Sequence, residues 1–181
     1  MLPKRKEIFY EMIGLEYKWY ALYINRHHER KVCTWISNMG VDTLLPIRSV
    51  KKIWSDRIKI IEEPLFPSYL FVKASCLEYF EILNHPSAVK YVSFGGNPAV
   101  IPEDQIGALK IISTFNIDAE SSQSAFSAGE EVVIAEGPLK GTKCELIHCN
   151  RKRRFILRMD QIGYSLSISI SKENVFKEVS T

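Results

Sequence analysis

The spacing of hydrophobic positions along the chain changes period several times, and each change predicts an element. Trp19–Ile24 (WYALYI) is an aromatic, alternating run and reads as a strand. In Arg26–Met39, Val32, Trp35, Ile36 and Met39 fall at i, i+3, i+4 and i+7, with Gly40 just beyond: an amphipathic helix closed by a glycine stop. Val41–Ile47 returns to a strand that ends near Pro46, and Val50–Ile61 alternates on both sides of Ser55-Asp56-Arg57, the pattern of a hairpin with its tip there. Leu65–Lys73 (LFPSYLFVK) is the most strand-like run of the protein. Cys76–Asn84 carries Leu77, Phe80 and Leu83 at helical spacing, with Pro86 as its limit. Val89–Phe94 reads as a strand, Gly95–Pro98 as a turn and Ala99–Ile101 as a short strand, after which Pro102 opens a helix holding Ile106, Leu109 and Ile112. This order predicts an α+β sandwich: one mostly antiparallel sheet with helices packed on one side.

From Asn116 to Ala125 (NIDAESSQSA) the apolar periodicity disappears, and the segment reads as a linker. Beyond it, residues 126–178 show short alternating runs separated by turn signals, among them Gly137-Pro138, Asn150–Arg153 and Asp160-Gln161. Five short strands in so little chain predict a small all-β barrel, because closure removes exposed sheet edges. The expected organisation is an N-terminal extension at residues 1–16, an α+β domain at 17–115, a linker at 116–125 and a barrel at 126–178.

Composition narrows the class. With 181 residues, 46% hydrophobic and 25% charged, the chain suits one ordinary domain or two small ones rather than a disordered polymer. The first twelve residues (MLPKRKEIFYEM) hold acids and no apolar core of signal-peptide length, so no secretory signal is expected. Cys33, Cys76, Cys144 and Cys149 lack framework spacing and suit reduced thiols in a cytoplasm. The net charge of +3 is mild but unevenly placed: residues 17–60 contain nine Lys/Arg against three acids, and residues 62–120 eight acids against three bases. That segregation suits one face meant for a polyanion, although a solvated face with its counter-charges folded nearby produces the same count.

Candidate chemistry is sparse. The acid pairs Glu62-Glu63, Glu103-Asp104 and Glu130-Glu131 are sequence neighbours at element ends, where two carboxylates do not converge on one substrate. His27-His28 have no Ser or Cys spaced to make a nucleophilic arrangement. Cys144, His148 and Cys149 lack the second ligand pair of a structural zinc site. No phosphate-cradling glycine pattern occurs. Neither an enzyme, a cofactor nor a metal is expected.

The informative segment is Glu63–Lys73 (EPLFPSYLFVK). Read as one strand, it is apolar on both faces through Leu65, Phe66, Tyr69, Leu70, Phe71 and Val72. One face packs on the helices, and the other needs cover. Tyr23, with Tyr91 or Phe94, can join that outer face. Aromatic side chains of about 150–250 Å² each would make a patch as large as a monomer normally shows, the mark of a partner surface. The second domain of the same chain is the alternative cover, and it can also mask the patch until a partner arrives.

WYALYINRHHERKV, EEPLFPSYLFVK and VKYVSFGGNPAVIP resemble the N-terminal domain of the NusG family of transcription elongation factors, and FSAGEEVVIAEGPLKGTKCEL resembles that family's C-terminal KOW motif. PLFPSYLFV resembles the specialised RfaH-like branch more than general NusG, and it also resembles the UpxY-type antiterminators of polysaccharide operons. The resemblance covers residues 17 to 178. It implies an N-terminal domain of the NusG type followed by a small SH3-like KOW barrel, and it implies a transcription antitermination or elongation factor. Such a factor docks an apolar pocket on the clamp helices of the largest RNA polymerase subunit and suppresses pausing. Carried over, the pocket comprises Tyr23, Phe66, Tyr69, Phe71 and Phe94, supported by Leu65, Pro67 and Tyr91. Contact with non-template or upstream DNA falls to Arg26, His27, His28, Arg30, Lys31 and Asn38. Trp35 suits either the core or stacking on an unpaired base. Arg151, Lys152, Arg153 and Arg154 are the expected contact of the barrel with a ribosomal protein or termination factor. A ribosome-associated or RNA-binding KOW adaptor stands as the alternative.

Overall fold

The computed structural model describes residues 14–54, 57–123, 129–149, 152–169 and 176–178. The chain divides into two compact units, Met1–Leu45 with Phe66–Pro102, and Pro46–Leu65 with Glu103–Thr181.

The first unit contains β1 (Lys18–Ile24), α1 (Glu29–Asn38), β2 (Asp42–Leu44), β5 (Tyr69–Ala74), α2 (Cys76–Ile82), β6 (Ala88–Tyr91), β7 (Ser93–Phe94), β8 (Asn97–Pro98) and β9 (Val100–Ile101). Its antiparallel sheet runs β2-β5-β1-β6, with β9 also paired to β1, while β7 and β8 form a small hairpin. Alternation on β1 sends Tyr20, Leu22 and Ile24 to one side, where they join Leu70, Val72 and Ala74 of β5 in a core with Val32 and Ile36 of α1 and Cys76, Tyr79 and Ile82 of α2. The expected apolar face of the first helix is thus buried, and the chain leaves α1 through Gly40 at φ 80°. A capping box starts α2: the Ser75 hydroxyl accepts from the backbone N–H of Leu77, and the Glu78 carboxylate accepts from the N–H of Ser75.

The second unit contains the two-stranded ribbon β3 (Ile47–Ile53) and β4 (Ile58–Pro64), helix α3 (Glu103–Thr114), and an antiparallel sheet of β10 (Ala119–Ser122), β11 (Glu130–Ile134), β12 (Lys143–Cys149), β13 (Lys152–Met159), β14 (Tyr164–Ile168) and β15 (Phe176–Glu178). The sheet order is β10-β14-β13-β12-β11-β15. The base of the ribbon is tied to the end of α3, where the Ile47 N–H donates to the Ser113 hydroxyl and the Ser49 N–H to the Asn116 side chain, at 3.2 Å each. Gln105 of α3 donates to the Arg158 carbonyl of β13 at 3.1 Å.

Three expectations need correction. Leu65–Lys73 is not one strand: β5 begins at Tyr69, and residues 65–68 form a turn in which Pro67 offers no N–H and Ser68 takes φ 68°. Val41–Ile47 likewise breaks at residues 45–46, so that β2 joins the first sheet and β3 starts the ribbon. The segment read as a linker contributes β10, which pairs with β14 from Ala119↔Ile168 to Ser122↔Ser165. Its polar side chains hid a strand that backbone pairing creates, and the Ser121 hydroxyl donates to the Leu65 carbonyl. The extension expected at residues 1–16 lies outside the described residues up to residue 13; Gly14 accepts from the Cys76 N–H at 3.1 Å.

Candidate functional site

The outer side of the first sheet carries Trp19, Ala21 and Tyr23 of β1 opposite Lys73, Phe71 and Tyr69 of β5. Exposure along this row is graded. Trp19, Ala21 and Phe71 are at most 2% exposed, whereas Tyr23 is 37% exposed and Tyr69 is half-buried. Tyr23 and Tyr69 pack edge to face, with centroids 5.4 Å apart. Phe94 stands 88% exposed on the β7–β8 hairpin, whose turn is made by Gly95 and Gly96 at positive φ. Pro67 is exposed as well.

The continuous outer aromatic face expected from the alternation is not there, because several of its members are buried. Phe66 lies in the turn before β5 rather than on a strand, and it folds back edge-on against Phe71 at 5.9 Å; both are fully buried. Leu65 is buried too. Tyr91 faces the helices: it stacks on Tyr79 at 3.9 Å and meets Tyr20 edge-on, and burial pushes its phenol pKa well above the ordinary value. Of the eight side chains expected in the pocket, the structure leaves Tyr23, Pro67, Tyr69 and Phe94 reachable, with the others inside.

The cationic candidates cluster on α1 and the turn before it. Arg26, His27, His28, Arg30, Lys31 and Asn38 are all exposed. His28 is the N-cap of α1 by backbone geometry, and its Nδ1 lies 2.6 Å from the Ser87 hydroxyl. Trp35 is half-buried at the margin of the core, with its ring 4.8 Å from that of His85. His85 Nδ1 accepts from the Ser87 N–H at 3.1 Å, and burial, then Lys31 and His28, lower its pKa, which favours the neutral ring.

In the C-terminal sheet, Arg154 is half-buried on β13 with its guanidinium 3.4 Å from the Ser167 hydroxyl. Arg151 and the side chains of Lys152 and Arg153 lie outside the described residues, as do those of His148 and Cys149. Burial, reinforced by Glu145, pushes the Cys144 thiol up to about 11, so it stays protonated and unreactive at neutral pH. Among the described residues no cluster of His, Cys, Asp or Glu could hold a metal ion, and no helix is long and apolar enough to cross a membrane.

Sequence reasoning passed over one surface. Ile53, Trp54, Ile58 and Ile60 at the far end of the ribbon are 84%, 57%, 69% and 63% exposed. The alternation that identified the hairpin carried the signal, since an apolar alternating face needs a cover.

Comparison with known proteins places this geometry. Residues 17–110 match the family described as transcription termination factor NusG. The transcription termination/antitermination protein NusG of Chlamydia pneumoniae is 23% identical over 146 residues, 73% of this chain and 80% of that protein. The solved structure "Domain interaction in Thermotoga maritima NusG" is similar in fold, with a TM-score of 0.54 at 19% identity, over 91% of this chain and 98% of that one. With more than half of its length inside the family match, the chain belongs to the NusG family, whose members are transcription factors and not enzymes.

Proposed function

We propose that this chain is a transcription elongation and antitermination factor that docks on RNA polymerase, at the clamp helices of the largest subunit, through the aromatic end of its first sheet. The observation that carries the reading is the edge-to-face pair of Tyr23 and Tyr69, left accessible at the end of an otherwise buried row. Tyrosine suits such a place because its ring buries against apolar surface while its hydroxyl stays satisfied at the rim. Phe94 and Pro67 extend the reachable set. Phe71, buried in the same row, and Phe66, packed edge-on against it, back it from inside.

The exposed Arg26, His27, His28, Arg30, Lys31 and Asn38 then contact non-template or upstream DNA, as a cationic surface binds phosphates. The C-terminal sheet serves as the KOW barrel, and the basic run Arg151, Lys152, Arg153 and Arg154 meets a second partner such as a ribosomal protein or termination factor. The PLFPSYLFV segment supports a specialised factor serving particular operons, of the polysaccharide type, in the cytoplasm.

The test pairs binding to core RNA polymerase with single-round transcription through a terminator. The Tyr23→Ala/Tyr69→Ala variant is expected to lose at least tenfold in affinity, together with the readthrough that the unsubstituted chain produces, while its unfolding midpoint stays close to the original. Unchanged affinity in the folded variant overturns the docking.

A further inference from the structure

The β3–β4 ribbon divides its charge unequally between two faces. Cross-strand partners share a face, and the register places Ile53 with Ile58, Lys51 with Ile60 and Ser49 with Glu62 on one side. The other side holds Arg48 with Glu63, Val50 with Ile61 and Lys52 with Lys59. The strand period carries this second face on to Trp54 and Arg57, whose backbones meet where the Trp54 N–H donates to the Arg57 carbonyl at 2.9 Å. Near the base the cations have partners: Lys52 reaches Glu63 at 2.5 Å, and the Arg48 guanidinium donates to the Ala119 carbonyl at 3.5 Å. The outer end adds Lys59, Arg57 and Trp54, all exposed, with Trp54 at 57%; Asp56 at the tip lies outside the described residues. Two lysines set directly opposite each other repel, and an indole left in water stabilises nothing, so this end of the face does not serve the ribbon's own fold.

We infer that this face of the ribbon binds single-stranded DNA, with Arg57 and Lys59 on its phosphates and the Trp54 ring stacked on an unpaired base. The inference rests on the reading that the chain contacts exposed DNA, and it adds a second element to that contact. Charge and ring together select the occupant. Phosphates recur at every nucleotide and attract the cations, while each unpaired base offers a π face to an aromatic side chain. An acidic polypeptide meets the cations and leaves the indole bare. A duplex keeps its base faces inside the stack, where Trp54 cannot reach them. The isoleucine side has one cation, Lys51, against Glu62, and takes no part in this contact.

The experiment uses the full chain with an oligothymidylate, and with a duplex of the same length and an oligouridylate for comparison. Trp54→Ala is expected to lose at least about fivefold in affinity for the oligothymidylate, the lower end of what one base stacked on an aromatic ring contributes. Trp54→Phe, which keeps a stacking ring, is expected to stay within roughly threefold of the unsubstituted chain. Arg57→Gln/Lys59→Gln is expected to lower the slope of log affinity against log salt by about 0.7 per residue, a slope that Trp54→Ala leaves unchanged. Oligothymidylate affinity that survives Trp54→Ala overturns the inference. So does duplex binding as tight as single-strand binding, and so does a loss seen with the oligouridylate alone, which assigns the face to RNA. If a variant does not fold, the long-wavelength tryptophan emission of the unsubstituted chain, supplied by exposed Trp54, replaces it: quenching by the oligothymidylate supports the contact and unaltered emission overturns it. An unsubstituted chain that binds no DNA overturns the DNA reading and this inference together. Normal binding by the ribbon variants, alongside weakened binding by Arg26→Ala/Lys31→Ala, overturns the ribbon contact alone.

Discussion

Glu29, in the first turn of α1, accepts a hydrogen bond at 3.0 Å from the backbone N–H of Ser68, which lies 39 residues further along the chain. Both residues are buried, and Ser68 holds φ 68°. Its carbonyl in turn accepts from the Ile24 N–H at 2.9 Å. The turn that starts β5, and with it the position of Tyr69, is therefore pinned to both α1 and the end of β1. Removing the acceptor with Glu29→Ala leaves a buried N–H unpaired and is expected to cost about 1–3 kcal/mol in urea unfolding. Ser68→Gly is expected to be neutral or slightly stabilising, because glycine adopts positive φ freely, and Ser68→Val to be destabilising.

Phe66 and Tyr23 are expected to separate stability from binding. Phe66 is fully buried against Phe71, so Phe66→Ala opens a cavity and should cost about 3–5 kcal/mol. Tyr23 is partly exposed, and Tyr23→Ala should cost clearly less. Unfolding curves of the two single variants check this. Loss of polymerase binding in Phe66→Ala has to be read against the fraction folded, which is why the docking test uses Tyr23 and Tyr69.

The C-terminal sheet has an acid-sensitive tie. Glu145 on β12 accepts from Arg158 Nε at 2.5 Å and Nη2 at 2.8 Å, and from the Gly129 N–H at 3.0 Å. The bond from Arg158 leads in lowering its pKa below the ordinary value of 4.5. A folded-state pKa below the unfolded one means that the unfolded chain binds more protons in that window. The contribution is then fully present above pH 4.5 and is lost as pH falls through the depressed folded value. Glu145→Gln should lower stability at neutral pH and flatten the acid limb of the stability profile. Gly129→Ala should also destabilise, because a Cβ there meets the Leu146 carbonyl at 2.6 Å.

The cationic face of α1 should reveal itself through salt. If Arg26 and Lys31 meet phosphates, replacing both with Ala lowers the slope of log affinity against log salt concentration for a single strand by about 0.7 per residue. A titration of binding from low to moderate salt measures that slope, and a slope unchanged from the original would remove both residues from the contact.

Much of this arrangement was legible before folding. The period-3.6 run with Gly40 behind it marked α1, the alternation of Trp19–Ile24 marked β1, and the separation of cations from acids marked the exposed face of α1. These signals are local, since each arises from a side-chain period or a turn residue acting within one element. Tyr23 and Tyr69 could be named from the same alternation, and the exposed isoleucines of the ribbon were written in it as well.

What the alternation left open was which aromatic rings face solvent. Phe66 reads as an outward strand residue until Pro67 and the Ser68 conformation, held by distant Glu29, turn it back on Phe71. Tyr91 reads as an outer-face candidate until Tyr79 and Tyr20 enclose it. The polar run 119–122 reads as linker until β14 supplies its backbone partners. The sequence by itself determined the type of most elements and the set of candidate contact residues, because period and turn chemistry act over a few positions. Only the tertiary structure decided burial and pairing, because those depend on partners tens of residues away that no local period encodes.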